Sequence, residues 1–471
     1  MEDWPKLVVF TNKMNILQLP AEIIRLILSN VEETRDLKTF SEASKAAYEH
    51  AAPIGYQSVI LKQDQFAPDQ PNRDVAALLN QSERSYILQY IRKLCITSDF
   101  KSNFDSFRCW NTNEIPNLHL KQLSLNAFPL DSPERLVEFL NVRQLQSLKL
   151  RLCPGWSSFL RTLYESGRGV NLKSFELKNS IDLTDDFEEY DISDFLNSFT
   201  GLEELYLSVV DPSSPFLLWK AALHHSSSLR RMVYQVRTEN VFGDSKYCGE
   251  EEDLINLSMR SIKAWKRLTY HLGALDLECL GLTCPPFRLP LLLQPYCQKG
   301  TLKVLHVRQS KLDTNRYGSW CFDSHKPESV LPSFQYLVNW VFGPDGICSL
   351  QLLAFRDFQY RGRLSSYNLI LRRKDAPVAD GELPYYRLDP LLERNKSLGD
   401  AVCGFLEACP SAPLTGARYY GDDNDDEHLG WQPRYVENDE DYEDDEDDED
   451  DDDDDDEDND IDDNDSMETD A

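Results

Sequence analysis

A six-residue phrase with apolar residues at its first, fourth and sixth positions recurs along the 471-residue chain. It reads Ile91/Leu94/Ile96, Leu120/Leu123/Leu125, Leu145/Leu148/Leu150, Leu172/Phe175/Leu177 and Leu202/Leu205/Leu207, then Leu229/Met232/Tyr234, Leu277/Leu280/Leu282, Leu302/Leu305/Val307 and Leu350/Leu353/Phe355. First positions lie 29, 25, 27, 30, 27, 48, 25 and 48 residues apart. A strand turns successive side chains to opposite faces, so the fourth and sixth residues point the same way. Helical spacing lies between phrases, as in Pro133–Leu140 and Ile192–Phe199. A strand followed by a return helix, repeated at this step, predicts an α/β fold over residues 85–358: stacked parallel strands with the helices outside.

Each step of 48 holds either a degenerate unit or an insertion. Residues 253–268 (Leu254, Leu257, Ile262, Trp265, Leu268, beside acidic Glu250–Asp253) and 332–341 (Phe334, Leu337, Val338, Val341) show helical spacing there. Long excursions carry partner contacts in some proteins and fill space in others. After Phe358 the period fails. Tyr367–Leu371 reads as a strand and Leu398–Leu406 as a helix, so residues 359–415 are expected to cap the last apolar face of the stack. Ser124, Lys149, Glu176, Tyr206 and Gly281, or their neighbours, would line the sheet face turned away from the helices. Their chemistry is mixed, and the substrate-binding residues stay unassigned.

Charge divides the chain differently. From Gly421 to Ala471 there are 31 acidic residues against one basic one, Arg434, whereas the first 420 residues hold 50 acids and 48 bases. Glu443–Asp458 is an unbroken acidic run. Neighbouring like charges sit well inside the screening length of about 8 Å, so residues 421–471 are expected to be a disordered, solvated tail. It keeps the protein soluble or draws in basic proteins; Ser466 and Thr469 lie among acids where an acid-directed kinase acts. The near-neutral body does not suit phosphate binding, so no direct nucleic-acid partner is expected. No window of about 18 apolar residues exists to span a membrane.

Residues 15–61 carry a different pattern, after a short N-terminal segment, 1–14. Pro20 suits the first turn of a helix, Glu22 favours its positive end, and Ile23, Ile24, Ile27, Leu28 and Val31 recur at helical spacing. A second segment has Leu37, Phe40, Ser44, Ala47 and Tyr48 roughly on one face, with Asp36 near its start. Ser44 caps a third helix that Pro53 closes. Three short helices cannot bury this much Ile and Leu among themselves, which leaves apolar surface from Leu19, Ile23, Ile24 and Ile27. By pattern alone the helices either cap the body or dock a partner.

Leu19-Pro20-x-Glu22-Ile23-Ile24, then Leu26-Ile27-Leu28, Asp36-Leu37-x-x-Phe40 and Ser44-Lys45, resemble an F-box. Ala52-Pro53-Ile54-x-Tyr56-x-x-Val59-x-Leu61 is similar to the continuation in F-box proteins of filamentous fungi. Charged Lys38 and Glu42 depart from the pattern by thinning the apolar second helix. The phrases resemble the irregular leucine-rich repeats often found behind an F-box, with Asn126 an isolated instance of the repeat's usual polar residue. The resemblance implies a substrate receptor of a Skp–cullin–F-box ubiquitin ligase. Leu19, Pro20, Glu22, Ile23, Ile24, Ile27, Leu28, Leu37 and Phe40 would dock the Skp-family adaptor and through it a cullin–RING ligase, and the repeats would hold an unknown protein substrate.

Chemistry is sparse elsewhere. No Gly-rich phosphate loop, His-Glu-x-x-His or Cys-x-x-Cys is present, and no catalytic residue, metal or cofactor is assigned. His224 and His225 end a helical stretch as partners of its dipole, and Cys279 and Cys284 flank a strand as ordinary buried thiols. Asp185-Asp186 and Glu188-Glu189 read as solvated loop acids. Met1-Glu2-Asp3-Trp4-Pro5 lacks the basic start and apolar run of a secretory signal. A cytoplasmic or nuclear location is therefore expected, with eleven reduced cysteines and unmodified sequons at Asn80, Asn256 and Asn395. Two other functions fit the same features: a non-ligase interaction scaffold, and an acidic-tail chaperone for basic proteins.

Overall fold

A computed structural model describes residues 16–31, 34–62, 90–97, 118–130, 132–179, 189–210, 215–237, 262–309, 319–322, 329–356, 358, 368–375, 382–388 and 398–410. The chain divides into compact units 1–417 and 418–471. The second unit and the N-terminal segment 1–14 lie outside the described residues, as do the acids at 185–188 and 250–253. Among the described residues no helix is long and apolar enough to cross a membrane.

Three helices open the described chain: α1 (Ala21–Ser29), α2 (Thr34–Glu42) and α3 (Lys45–Gly55). Pro20 stands at the N-cap of α1, where its fixed φ of −52° leads into the helix. Ser44 caps α3, its hydroxyl accepting the Ala47 N–H at 3.1 Å. Pro53, expected to close α3, lies inside its last turn, which continues to Gly55. A proline there removes only the single bond to Glu49, and Tyr56 N–H already satisfies the carbonyl of Ala52 at 3.1 Å. Ile24, Leu28 and Ala51 form a small core, ringed by Leu19, Val31, Leu37, Phe40 and Ile54 and separate from the core of the body.

The body is an α/β structure built on one twelve-stranded sheet whose strand order follows the sequence. Its strands are β1 (Ser58–Lys62), β2 (Lys93–Thr97), β3 (Gln122–Asn126), β4 (Ser147–Arg151), β5 (Ser174–Lys178) and β6 (Glu204–Val210), then β7 (Arg231–Arg237), β8 (Cys279–Leu282), β9 (Val304–Val307), β10 (Leu352–Phe355), β11 (Leu369–Arg373) and β12 (Tyr385–Leu388). All neighbours from β1 to β10 are parallel; β11 and β12 are antiparallel. Every phrase contributes a strand in one register: Leu94, Leu123, Leu148, Phe175, Leu205, Met232, Leu280, Leu305 and Leu353 stand side by side. The first residue of each phrase, from Ile91 to Leu350, is buried just before its strand.

Helices α4 (Pro133–Phe139), α5 (Trp156–Glu165), α6 (Glu189–Asn197), α7 (Pro215–His224), α8 (Ile262–Ala274), α9 (Leu289–Lys299) and α10 (Pro332–Phe342) fall between strands. Their apolar faces join the phrase leucines in one long core, where each leucine stabilises by about 1.5–3 kcal/mol. The second residue of each phrase ties the stack at its edge. The carbonyls of Arg92 and Lys121, for example, each accept two N–H groups from the following repeat. Both steps of 48 prove to be insertions, since β7 pairs directly with β8 and β9 with β10.

Two boundaries differ from the sequence expectation. Val59 and Leu61, read with the N-terminal helices, belong to β1, so the sheet begins inside residues 15–61. The stretch 359–415 serves two purposes. Strands β11 and β12 close the sheet's edge, where the Arg373 guanidinium donates to the carbonyls of Val341, Phe342, Ile347 and Leu350 at 2.7–3.2 Å. The last helix, α11 (Asp400–Leu406), does not cover the end of the stack. Its side chains pack on the sheet face opposite the other helices.

Candidate functional site

Two surfaces carry the residues singled out in the sequence. The first is the outer side of α1. Ile23, Leu26 and Ile27 are 43%, 61% and 40% exposed, which is unusual for three large aliphatic side chains within five residues. Ile24 and Leu28, expected on the docking surface, face inward and fill the bundle's own core. Leu19, Leu37 and Phe40 are half-buried around that core, while Pro20 and Glu22 are exposed beside the patch. The helical period explains the split: 3.6 residues per turn puts 24 and 28 on one side, and 23, 26 and 27 on the other. Leu26 belongs with the patch, although only its place in the Leu26-Ile27-Leu28 motif marked it.

The second surface is the helix-free face of the sheet. The register lines up Ser124, Lys149, Glu176, Tyr206, Val233, Gly281 and His306 across it, bringing together the five residues predicted from alternation. Toward β1, Ile60 is exposed and Cys95 and Ser124 are half-buried. From β5 onward it is covered by residues 398–410. Phe405 packs on Tyr206 and His306, with ring centroids 6.3 and 6.1 Å away. Gly281 lies beneath it: a Cβ there would stand at ordinary contact distance, 3.5 Å, from Phe405 Cζ and tightly, at 3.0 Å, against Val233 Cγ2. Leu406, Ala408 and Cys409 complete an apolar layer with Val233, Ala354 and Ile370.

A buried polar cluster, not foreseen from the sequence, holds the end of this segment. Glu176 Oε1 accepts from Arg151 Nε at 2.6 Å and from the Cys409 N–H at 2.8 Å, and Lys149 Nζ lies 3.4 Å from Oε2. Arg308 donates from Nη2 to the Cys409 carbonyl at 2.8 Å and from Nε to Gln235 at 3.1 Å. Lys178 Nζ donates to the Pro410 carbonyl at 2.6 Å. Cys409 itself sits at φ +49°, a left-handed conformation that non-glycine residues reach only at a cost of about 1–2 kcal/mol. Opposite charges on the two sides of one residue hold it there.

Electrostatics follow from this geometry. Burial alone would raise the Glu176 pKa, but Arg151, Lys149 and the Cys409 N–H together pull it below the usual carboxylate range. Burial pushes the Cys409 thiol up to about 12, and the Cys153 and Cys279 thiols likewise, so these sulfurs stay protonated and unreactive. Burial, with Arg308 adjacent, holds His306 well below its ordinary value; its Nε2 pairs with the Arg356 carbonyl.

His225, read as a partner of the helix dipole, is instead a buried staple one residue past α7. Its Nε2 pairs with the Leu196 carbonyl at 2.9 Å and its Nδ1 accepts the Leu202 N–H at 3.4 Å. Only an inward-facing ring can bridge two neighbouring repeats in this way, and His224 keeps the outward position. Among the described residues no group of His, Cys, Asp and Glu is arranged to hold a metal ion. The arrangement suits binding of a peptide segment through an apolar pair and its backbone. A comparison of the chain with protein-family models and with curated proteins finds no match.

Proposed function

We propose that this protein is the substrate-recognition subunit of a Skp–cullin–F-box ubiquitin ligase, a non-catalytic receptor working in the cytoplasm or nucleus. Helices α1–α3 are its F-box, and the strands with their outer helices form a leucine-rich-repeat-like solenoid that presents a target. The observation that carries this reading is the exposed Ile23, Leu26 and Ile27 patch on a helical unit with its own small core. A unit that is already satisfied internally has no reason of its own to expose three aliphatic side chains together.

A few such side chains set into a partner's groove dominate affinity, at about 1.5–3 kcal/mol each when fully covered. Ubiquitin transfer itself would take place on other subunits, with this chain raising the local concentration of the target's lysines. The Leu26→Asp and Ile27→Asp double variant is expected to lose Skp-family adaptor and cullin in a pulldown, with at least a hundredfold weaker binding. Circular dichroism should stay unchanged, because neither side chain enters a core. Undiminished recovery of the adaptor would refute the docking assignment, and adaptor without cullin would turn the protein into a scaffold.

A further inference from the structure

Residues 398–410 lie on the helix-free face of the sheet, and they are held as a bound peptide is held. The segment follows β12 in the chain, and its hydrogen bonds reach strands far away in sequence. Cys409 meets Glu176 across 233 positions, and Lys178 meets Pro410 across 232. Its largest apolar anchors are two neighbouring side chains, Phe405 and Leu406, with Ala408 and Cys409 buried in the same cluster. The end of the segment is hydrogen-bonded through its backbone: the Cys409 N–H, the Cys409 carbonyl and the Pro410 carbonyl. Backbone contacts do not depend on the identity of the residues supplying them, so another chain of the same shape could make them. The core of the body lies on the other side of the sheet and shares none of the segment's buried residues.

We propose that the helix-free face of β5–β10 is a peptide-binding surface occupied in this chain by its own residues 398–410. The partner it fits is a protein presenting a short helix with an adjacent aromatic–aliphatic pair, followed within about one turn by a bend whose backbone meets Glu176, Arg308 and Lys178. Tyr206 and His306 supply the walls for the aromatic ring, and Gly281 lies beneath it. Within the receptor reading, this partner is the target, and the chain's own segment competes with it. Being part of the same chain, the segment is present at an effective concentration of roughly millimolar. A partner in solution therefore sees an affinity reduced by the fraction of molecules in which the segment has lifted away. The left-handed Cys409 lowers the segment's own hold, which favours exchange.

Hydrogen exchange on the intact chain tests the first half of this. The Cys403, Glu407 and Cys409 amides are expected to exchange at least a hundredfold faster than the strand-edge amides of Lys173 and Arg230, through local opening. The second half uses the full chain with a specific protease site inserted between Arg394 and Asn395. After cleavage, a fluorescein-labelled peptide of residues 396–412 should bind at least tenfold more tightly than to the uncleaved chain, and Phe405→Ala in that peptide should weaken binding at least tenfold. Exchange of the segment's amides only together with the whole sheet would overturn the proposal, as would a cleaved fragment that leaves only when the body unfolds. No adaptor enters either measurement, so their outcome is independent of the F-box assignment, and loss of adaptor binding would not alter it.

Discussion

Replacing Glu176 with alanine is expected to destabilise the fold by about 3–5 kcal/mol, because the change leaves Arg151 buried with its principal counter-charge gone. The carboxylate sits on a central strand, fully buried, and accepts from two donors at once. Glu176→Gln keeps the shape but not the charge and should lose less. Removing the pair together, as Glu176→Leu with Arg151→Leu, should recover much of the loss, since an apolar pair of similar size avoids desolvating two ions. Urea unfolding followed by circular dichroism measures all three. A loss below 1 kcal/mol for Glu176→Ala would mean that the ion pair adds little to the fold. The pH dependence has a definite sign. The folded-state pKa of Glu176 lies below its unfolded value, so its contribution is present above the ordinary carboxylate pKa and disappears as pH falls through the folded value.

The second large effect concerns mild acid. Burial first, then the neighbouring His224, hold His225 down to about 4, with the Leu196 carbonyl opposing them. In the folded protein Nε2 donates to that carbonyl while Nδ1 accepts from Leu202. A second proton would point at the Leu202 N–H and lose that bond. Between an unfolded pKa near 6.5 and the folded value near 4, the unfolded chain binds the proton and the folded one does not. Stability should therefore fall through that window by on the order of 3 kcal/mol, with none of this loss above about pH 7. His306 is shifted in the same direction and adds to the slope. His225→Gln keeps one donor and one acceptor without titrating, so melting temperatures measured from pH 7 to 4 should fall less steeply for that variant. Equal slopes for the two proteins would show that His225 takes up its proton without disturbing the fold.

Much of the body was legible because two periods coincide. An apolar residue at the fourth and sixth positions of each phrase specifies a strand face, and a step of 25–30 residues leaves room for one return helix. Residues 133–140 and 332–341 formed helices where their spacing placed them. In the N-terminal unit the period identified the helices and the Ser44 cap but could not say which side of α1 turns inward. Ile23 and Ile24 are alike as residues, and only the packing of α2 and α3 against α1 determines that Ile24 is covered. His224 and His225 pose the same problem: two identical side chains, of which one is placed between adjacent repeats.

Nothing periodic links Glu176 with Cys409, so their meeting was invisible. Alternation made Glu176, Tyr206 and Gly281 members of one face, but an exposed face and a covered one have the same alternation. The amino-acid order by itself determined the nine phrase strands, their parallel stacking and the divide between a near-neutral body and an acidic tail, because each of these depends on neighbours in sequence or on a fixed repeat. Tertiary structure alone decided which face is occupied and by what. That outcome rests on an apolar layer and on hydrogen bonds joining Cys409 to Glu176 and Pro410 to Lys178 across more than two hundred residues, a distance over which local spacing conveys no information.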